Sequence, residues 1–162
     1  MTKNAIMDTD KIMEQISQEV PGAKIGLTNG CFDLLHVGHV RYLNRASTLV
    51  DKLIVAVNSD DSVASLKGDN RPITPLDERM EVLAALESVD YVTSFAEYTC
   101  DRVIKQVRPD VYIKGGDYDP SKLPEWETVK QIGGEVKFIE KTSQKSTTQL
   151  IEKIISSHHS GK

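Results

Sequence analysis

The chain is poor in cysteine, poor in aromatic residues and free of long apolar runs, and each shortage closes off a class of protein. Its two cysteines, Cys31 and Cys100, make neither a disulfide framework nor a metal-ligand spacing. Two lone thiols suit a reducing compartment, and both are expected to be reduced. No stretch approaches the roughly 18 to 20 apolar residues that cross a bilayer, and Met1 to Lys11 lacks the apolar segment of a signal peptide. The expectation is a cytoplasmic protein with no membrane partner. Positive charge is not in excess either: 20 Lys and Arg stand against 24 Asp and Glu, a formal net charge of -4, and the basic residues are scattered. A nucleic-acid backbone finds no footprint on such a chain. Internal repeats, low-complexity tracts and Pro/Gly/Ser-rich linkers are also missing, so 162 residues are read as one domain.

What is present is a regular alternation of short apolar runs and helical patterns. Asp8 to Val20 sets Ile12, Met13, Ile16 and Val20 at helical spacing and stops at Pro21-Gly22. Lys24 to Thr28 is the first predicted strand, and Gly38 to Leu49 follows with Val40, Leu43, Ala46 and Leu49 on one stripe. Leu53 to Val57 is unbroken apolar, as in a parallel strand covered on both faces. A short helix near Asp60 to Leu66 leads into a charged loop, Lys67 to Thr74, whose few apolar anchors predict mobility. Pro75 opens a helix over Leu76 to Glu87. Strands at Tyr91 to Phe95, Val111 to Ile113 and Val136 to Ile139 then alternate with helices at Asp101 to Val107, Glu125 to Ile132 and Ser146 to Ile155. The residues from Ser156 onward, His158 and His159 included, are expected to form a disordered tail. Strands separated by helices require right-handed crossovers. The predicted fold is therefore α/β: a single-domain, doubly wound, Rossmann-like parallel sheet of five strands with helices on both faces, binding ligands beyond the carboxyl ends of its strands.

Three motifs fall in loops at that end of the sheet. In the first, Asn29 to His39, Gly30 lets backbone approach a phosphate, and the amides from Gly30 to Phe32 with the following helix N-terminus offer donors to an anion. His36 and His39 add side-chain donors that follow charge building on a phosphoryl group. A lone histidine is usually structural; a pair spaced His36-Val37-Gly38-His39 at a strand-to-helix turn points to a polyphosphate site. The second is Ser146-Thr147-Thr148, whose hydroxyls suit either a helix cap or a phosphate, with Lys145 adding charge. The third, Lys114-Gly115-Gly116-Asp117-Tyr118, is either a flexible turn or backbone lying against a ligand. Lys67 and Arg71 are solvated charges unless their loop closes on the ligands. Asp33 directly follows the turn and is read as positioning an acceptor or a metal-bound water, with loop-holding Asx bonds as the alternative. Cys31 is read as packing.

The Gly-x-Phe-Asp turn followed by His-x-Gly-His resembles that of the cytidylyltransferase-like nucleotidyltransferase superfamily. The resemblance continues through Asn58-Ser59-Asp60, Leu66-Lys67-Gly68, Arg71-Pro72, Glu78-Arg79-Met80, Lys114 to Tyr118 and Ser146-Thr147-Thr148, over residues 24 to about 155. Together these motifs are similar to the adenylyltransferase half of bifunctional heptose kinase/adenylyltransferases. The resemblance implies transfer of AMP from ATP, carrying Mg²⁺, to a heptose 1-phosphate, with ADP-heptose and pyrophosphate as products for lipopolysaccharide synthesis. It implies His36, His39 and Lys67 as catalytic, and a nucleotide site of Asn29, Gly30, Cys31, Phe32, His36, His39, Lys114, Gly115, Gly116, Asp117, Ser146, Thr147 and Thr148. Asp33, Arg71, Arg79 and Tyr118 are implied at the acceptor, and no metal site of the protein's own is expected. It further implies a homodimer and a free-standing form served by a separate heptose kinase. A glycerol-3-phosphate cytidylyltransferase or other sugar- or polyol-phosphate nucleotidyltransferase is the nearest alternative, and a non-catalytic nucleotide-binding domain a more distant one. Related cytidylyltransferases read Arg-Thr-Glu-Gly-x-Ser-Thr-Thr where this chain reads Lys141 to Thr148, so no role is carried over to residues 141 to 144.

Overall fold

Strand β1 (Ile25–Gly30) is the centre around which the chain is laid down. It pairs in parallel with β2 (Lys52–Asn58), from Ile25 opposite Lys52 to Gly30 opposite Val57, and on its other side with β4 (Val111–Gly115) through Gly26 and Leu27. The strand β3 (Tyr91–Phe95) lies outside β2, and β5 (Glu135–Ile139) outside β4. The order is β3-β2-β1-β4-β5, all parallel, in a computed structural model that describes residues 5–141 and 144–159.

Both faces of this sheet are covered, which is why β2 is apolar from Leu53 to Val57, while the edge strand β5 alternates exposed Glu135 and Lys137 with half-buried Val136 and Phe138. On one face α1 (Thr9–Glu19), α5 (Asp101–Val107) and α6 (Trp126–Gln131) pack a core that joins Ile12 and Ile16 to Leu27, Ile54, Ile104 and Val129. On the other, α2 (Val37–Ser47) and α4 (Leu76–Ala84) bring Leu43, Ala46 and Leu83 onto Leu53, Val55 and Val57. Strand β2 supplies Ile54 and Ala56 to the first core and alternate residues to the second, which is why it shows no polar alternation. At the opposite end of the sheet from the cleft described below, aspartates satisfy leading amides: Asp51 accepts from Lys24 N at 2.8 Å, Asp90 from Leu53 N at 2.8 Å and Asp110 from Ile25 N at 2.7 Å. The short α3 (Asp60–Lys67) follows β2 behind an N-cap in which Ser59 accepts from Ser62 N.

The helical and strand pattern matches the expected five-stranded parallel architecture, with most elements shifted by one to three residues at their ends and with differences at β1, β4 and the last helix that bear on the site. Strands β1 and β4 run to Gly30 and Gly115, so Asn29, Lys114 and Gly115 are held in the sheet rather than in turns. The last helix, α7 (Thr147–His159), continues where a tail was expected from Ser156; residues 160–162 lie outside the described residues. Its start is capped twice, with Gln149 N donating to Ser146 Oγ at 3.1 Å and Ser146 N to Gln149 Oε1 at 3.2 Å. None of its side chains is buried. Thr142 and Ser143, in the segment that departs from the cytidylyltransferase pattern, also lie outside the described residues. No helix among the described residues is long and apolar enough to cross a membrane.

Leu43 anchors α2, and with it the histidine pair, to the sheet, and it is fully buried. Leu43→Ala is expected to lower unfolding free energy by about 2–5 kcal/mol through lost transfer energy and the cavity it leaves; urea denaturation monitored by circular dichroism measures this directly.

Candidate active site

The strand order turns back on itself between β1 and β4, and crossovers leave the carboxyl ends of these two strands uncovered. A cleft of about 380 Å³ opens there. Asn29 and Gly30 from β1 and Lys114 and Gly115 from β4 form its floor, His36, His39 and Tyr42 one wall, and Ser146 and Thr147 the opposite rim. Thr147 Oγ1 donates to Leu34 O at 3.3 Å, bringing the start of α7 across to the phosphate turn. The three segments singled out in the sequence are thus brought together. Tyr42 was not anticipated, although it lies one turn beyond His39 and so on the same face of α2. Its hydroxyl donates to Ile113 O at 3.0 Å and pairs with Thr28 Oγ1 at 2.8 Å, tying α2 to β4 and β1. Glu140, Lys141 and Gln144 also line the mouth; nothing in their residue types distinguishes them from surface residues.

The two histidines are arranged as a pair. The rings stack with centroids 4.0 Å apart, and they form the N-terminal capping box of α2. Gly38 N donates to His36 Nδ1 at 3.1 Å, and His36 N donates to His39 Nδ1 at 3.3 Å. Each Nδ1 is therefore an acceptor, which places the proton of each neutral ring on Nε2. Burial, and then the nearby charge of Lys145, lowers the pKa of His36. Burial and then His36 itself push His39 down to about 4. Near neutral pH the site thus presents two uncharged imidazoles, each with an Nε2–H donor left over.

On the floor, Asn29 Oδ1 accepts from Lys114 Nζ at 3.0 Å and from Tyr112 Oη at 2.6 Å. Burial lowers the pKa of Lys114, yet it remains the cation nearest the sheet at this end of the cleft. Burial raises the Cys31 thiol, so it stays protonated and poorly nucleophilic, in line with a packing role.

The acidic and basic residues expected at an acceptor lie behind the cleft, engaged with one another. Asp33 is 4% exposed, and its carboxylate accepts from Arg71 Nε at 2.6 Å, from Ile73 N at 2.9 Å and from Thr74 N at 2.9 Å. Burial alone would raise its pKa; these bonds outweigh it and hold the carboxyl below its ordinary value. The geometry is that of the loop-holding alternative, and it pins the Lys67 to Thr74 segment that its composition marked as mobile. Arg79 is 2% exposed, with donors on Cys31 O, Thr74 O and Asp60 Oδ1. Neither Asp33 nor Arg79 lines the cleft. A surface-acceptor role cannot be read from sequence when the same charges satisfy one another in the folded chain. Lys67 ends α3 outside the cleft, exposed, with its charge felt at the Cys31 thiol.

The remaining predicted residues sit at the margin. Gly116 N donates to Ile139 O at 2.9 Å and adopts φ 125°, a left-handed conformation that only glycine takes without strain. The chain then turns so that Tyr118 packs on Phe138 with ring centroids 4.6 Å apart. Asp117, Tyr118 and Thr148 do not line the cleft, and Ser146 serves as a cap at its rim.

Residues 27–160 match the family described as Cytidylyltransferase-like. The chain is 50% identical over 133 residues to the bifunctional protein HldE of Hahella chejuensis, a match covering 82% of this chain and 28% of that protein. It is 47% identical over 154 residues to the protein of the same name from Ectopseudomonas mendocina, covering 94% and 33%. The counterpart from Vibrio vulnificus is 51% identical over 136 residues, covering 84% and 29%. The chain thus spans about a third of the length of the curated relatives it matches. Among solved structures, it is similar to a lipopolysaccharide core biosynthesis protein from Thermoplasma volcanium GSS1, with a TM-score of 0.63 and 28% identity, covering 76% of this chain and 100% of that one.

Two measurements probe this geometry. The folded chain withholds from His39 a proton that the unfolded chain accepts below its ordinary pKa of 6.5, so stability should fall as pH drops from 6.5 towards 4. The melting temperature of the wild type should decline over that window more steeply than that of His39→Asn, which has no proton to take up. Asp33→Asn weakens the charge-assisted bonds that hold the loop, and trypsin should then cleave after Lys67 about tenfold faster or more while the core remains resistant.

Proposed function

The chain belongs to the cytidylyltransferase-like family, and from that premise we propose that it is a nucleotidyltransferase moving AMP from ATP to D-glycero-β-D-manno-heptose 1-phosphate. The products are pyrophosphate and ADP-heptose, the latter for the lipopolysaccharide inner core. The observation that carries the reaction class is the His36–His39 pair, neutral and with each Nε2–H directed away from the helix cap, beside the turn after β1 at the sheet's reversal point. The choice of sugar is supported by the motif resemblance and by relatives about half identical in sequence.

In this reading an oxygen of the acceptor phosphate attacks the α-phosphorus of ATP in line, that phosphorus parts from the bridging oxygen, and pyrophosphate leaves with the electron pair. The acceptor is already an anion at neutral pH, so no strong general base is required. The chain's task is to bring two mutually repelling anions together and meet the charge that develops between them. Neutral imidazoles suit this: they donate hydrogen bonds to the α-phosphoryl oxygens without protonating the attacking group. Amides of Gly30 to Phe32 and the start of α7 at Ser146 and Thr147 receive the departing β- and γ-phosphates. Lys114 adds charge from the floor; Lys67, at the end of α3 and outside the cleft, is assigned to the α-phosphate on the motif resemblance and would have to swing in when the ligands bind. ATP enters as its Mg²⁺ complex, with the ion held on phosphate oxygens and neutralising part of their charge. Gly115, Gly116 and Asp117 lie along the nucleoside, Thr148 supports the phosphate rim, and Tyr118 flanks the acceptor, while Arg71 acts on that side only through the loop it braces with Asp33. The enzyme acts in the cytoplasm as a homodimer, on a heptose 1-phosphate that a sugar-kinase activity supplies.

Pyrophosphate release on mixing the protein with MgATP and D-glycero-β-D-manno-heptose 1-phosphate is the expected result. Release with MgCTP and glycerol 3-phosphate instead would make it a polyol-phosphate cytidylyltransferase, and tight ATP binding without turnover on any acceptor would make it a binding domain. His36→Ala and His39→Ala should each lower kcat by about 10²–10³, the size of one lost transition-state donor.

A further inference from the structure

We propose that Arg79 is a positioning residue for the nucleotide-binding turn: by holding the Cys31 carbonyl, its guanidinium aims the Phe32 N–H at an anion in the cleft. The inference rests on the reading of that cleft as a nucleotide site and assigns work within it to a residue that never reaches the ligand.

Arg79 lies on α4, fully enclosed, and its three donors go to three separate segments. Nη1 donates to Cys31 O at 2.5 Å, Nε to Thr74 O at 3.0 Å and Nη2 to Asp60 Oδ1 at 2.7 Å. Burying a guanidinium is costly, and a single half-exposed carboxylate is weak compensation. The other two bonds are to backbone carbonyls that no apolar side chain could hold. One of them ends the loop that Asp33 also grips, so the turn and the loop share a single clamp.

The other carbonyl bears on chemistry. Phe32 stands at φ 47°, a left-handed conformation that a bulky aromatic residue keeps only when its surroundings dictate it. Its ring is part of the buried core, and its N–H has no acceptor among the described residues while lining the cleft. The peptide joining Cys31 to Phe32 is planar and trans, so its C=O and N–H point in opposite directions. Arg79 grips the C=O on the side away from the cleft; the N–H is thereby fixed toward it before any ligand arrives. A donor held in place by a buried cation needs no reorganisation when a phosphate binds, which is where preorganised sites gain over water. The rigid fork of arginine is essential here, since a single ammonium cannot span the three acceptors.

The test is ATP and inorganic tripolyphosphate affinity, by calorimetry, for wild type, Arg79→Lys, Arg79→Gln and Leu83→Ala, at a temperature where circular dichroism shows each folded. Leu83 is fully buried on the same helix, in the core cluster that also holds the Phe32 ring, and offers no donor to the Cys31 carbonyl, so its variant reports lost packing without loss of that bond. Both Arg79 variants are expected to weaken ATP and tripolyphosphate by about tenfold or more, the loss of one hydrogen bond to a charged group, while Leu83→Ala stays within about twofold of wild type. In the wild type the Phe32 amide proton should move downfield on adding tripolyphosphate, a readout that does not depend on any variant folding. Folded Arg79 variants that bind ATP as the wild type does, or a Phe32 amide resonance that tripolyphosphate leaves in place, would overturn the proposal. Failure of the wild type itself to bind ATP would instead remove the nucleotide reading on which it rests.

Discussion

A parallel strand must be covered on both faces, and in this chain β1 is the strand for which that requirement is met from opposite directions. The chain leaves β1 toward β2 and β3, placing α2 and α4 on one face, and later returns to the other side of β1 as β4, with α5 and α6 on the opposite face. Crossovers of one hand moving outward in both directions cannot close over the gap between β1 and β4. The cleft, and the meeting in it of the turn after β1 with the histidine-capped N-terminus of α2, exist because of that gap.

Electrostatics inside the cleft follow from how much water the packing removes. His36 and His39 use their Nδ1 atoms to cap α2, so the fold that makes the helix also selects the tautomer that faces a ligand. Burial then keeps both rings uncharged at neutral pH. Lys114 keeps its place against Asn29 through a bond that also draws in the Tyr112 hydroxyl, so a cation meant for an anionic ligand is held upright by neutral partners rather than by a carboxylate that would cancel it. Positive potential is thus available to a ligand without a competing internal counter-ion bonded to the lysine.

The counter-ions are placed one layer back. Asp33 with Arg71, and Arg79 with Asp60, fix the loop after α3 and the turn after β1 to each other. Charge that in the sequence suggested contact with substrate is used as scaffolding, while the donors left free for a ligand are mostly backbone amides and imidazoles. This division has a physical logic: a charged side chain bonded deep in the fold is rigid, and it can hold weaker, uncharged donors in a geometry they would not keep alone.

How much of this was legible beforehand differs between local and non-local features. The apolar runs, their spacing and the turn residues placed nearly every strand and helix, because hydrophobic period and capping are properties of neighbouring residues; Ser146 as a helix cap was legible in this way, whereas its partner Gln149 and the capping box of His36 with His39 came only with the structure. The phosphate turn and its histidine pair were legible for the same reason. For Asp33 the sequence left loop-holding and ligand-positioning open, and for Arg71 and Arg79 it named no partner, since whether a charge faces solvent, ligand or an opposite charge depends on segments about 20 to 50 residues apart meeting in space. Tyr42 and Glu140 entered the cleft unannounced on similar grounds. By itself, then, the sequence determined the parallel α/β sheet and singled out the turn after β1 with its histidine pair, both consequences of local periodicity and of residues adjacent in the chain. Only the tertiary structure decided which charges line the cleft and which brace it, because that choice belongs to contacts between distant segments and to the desolvation they impose.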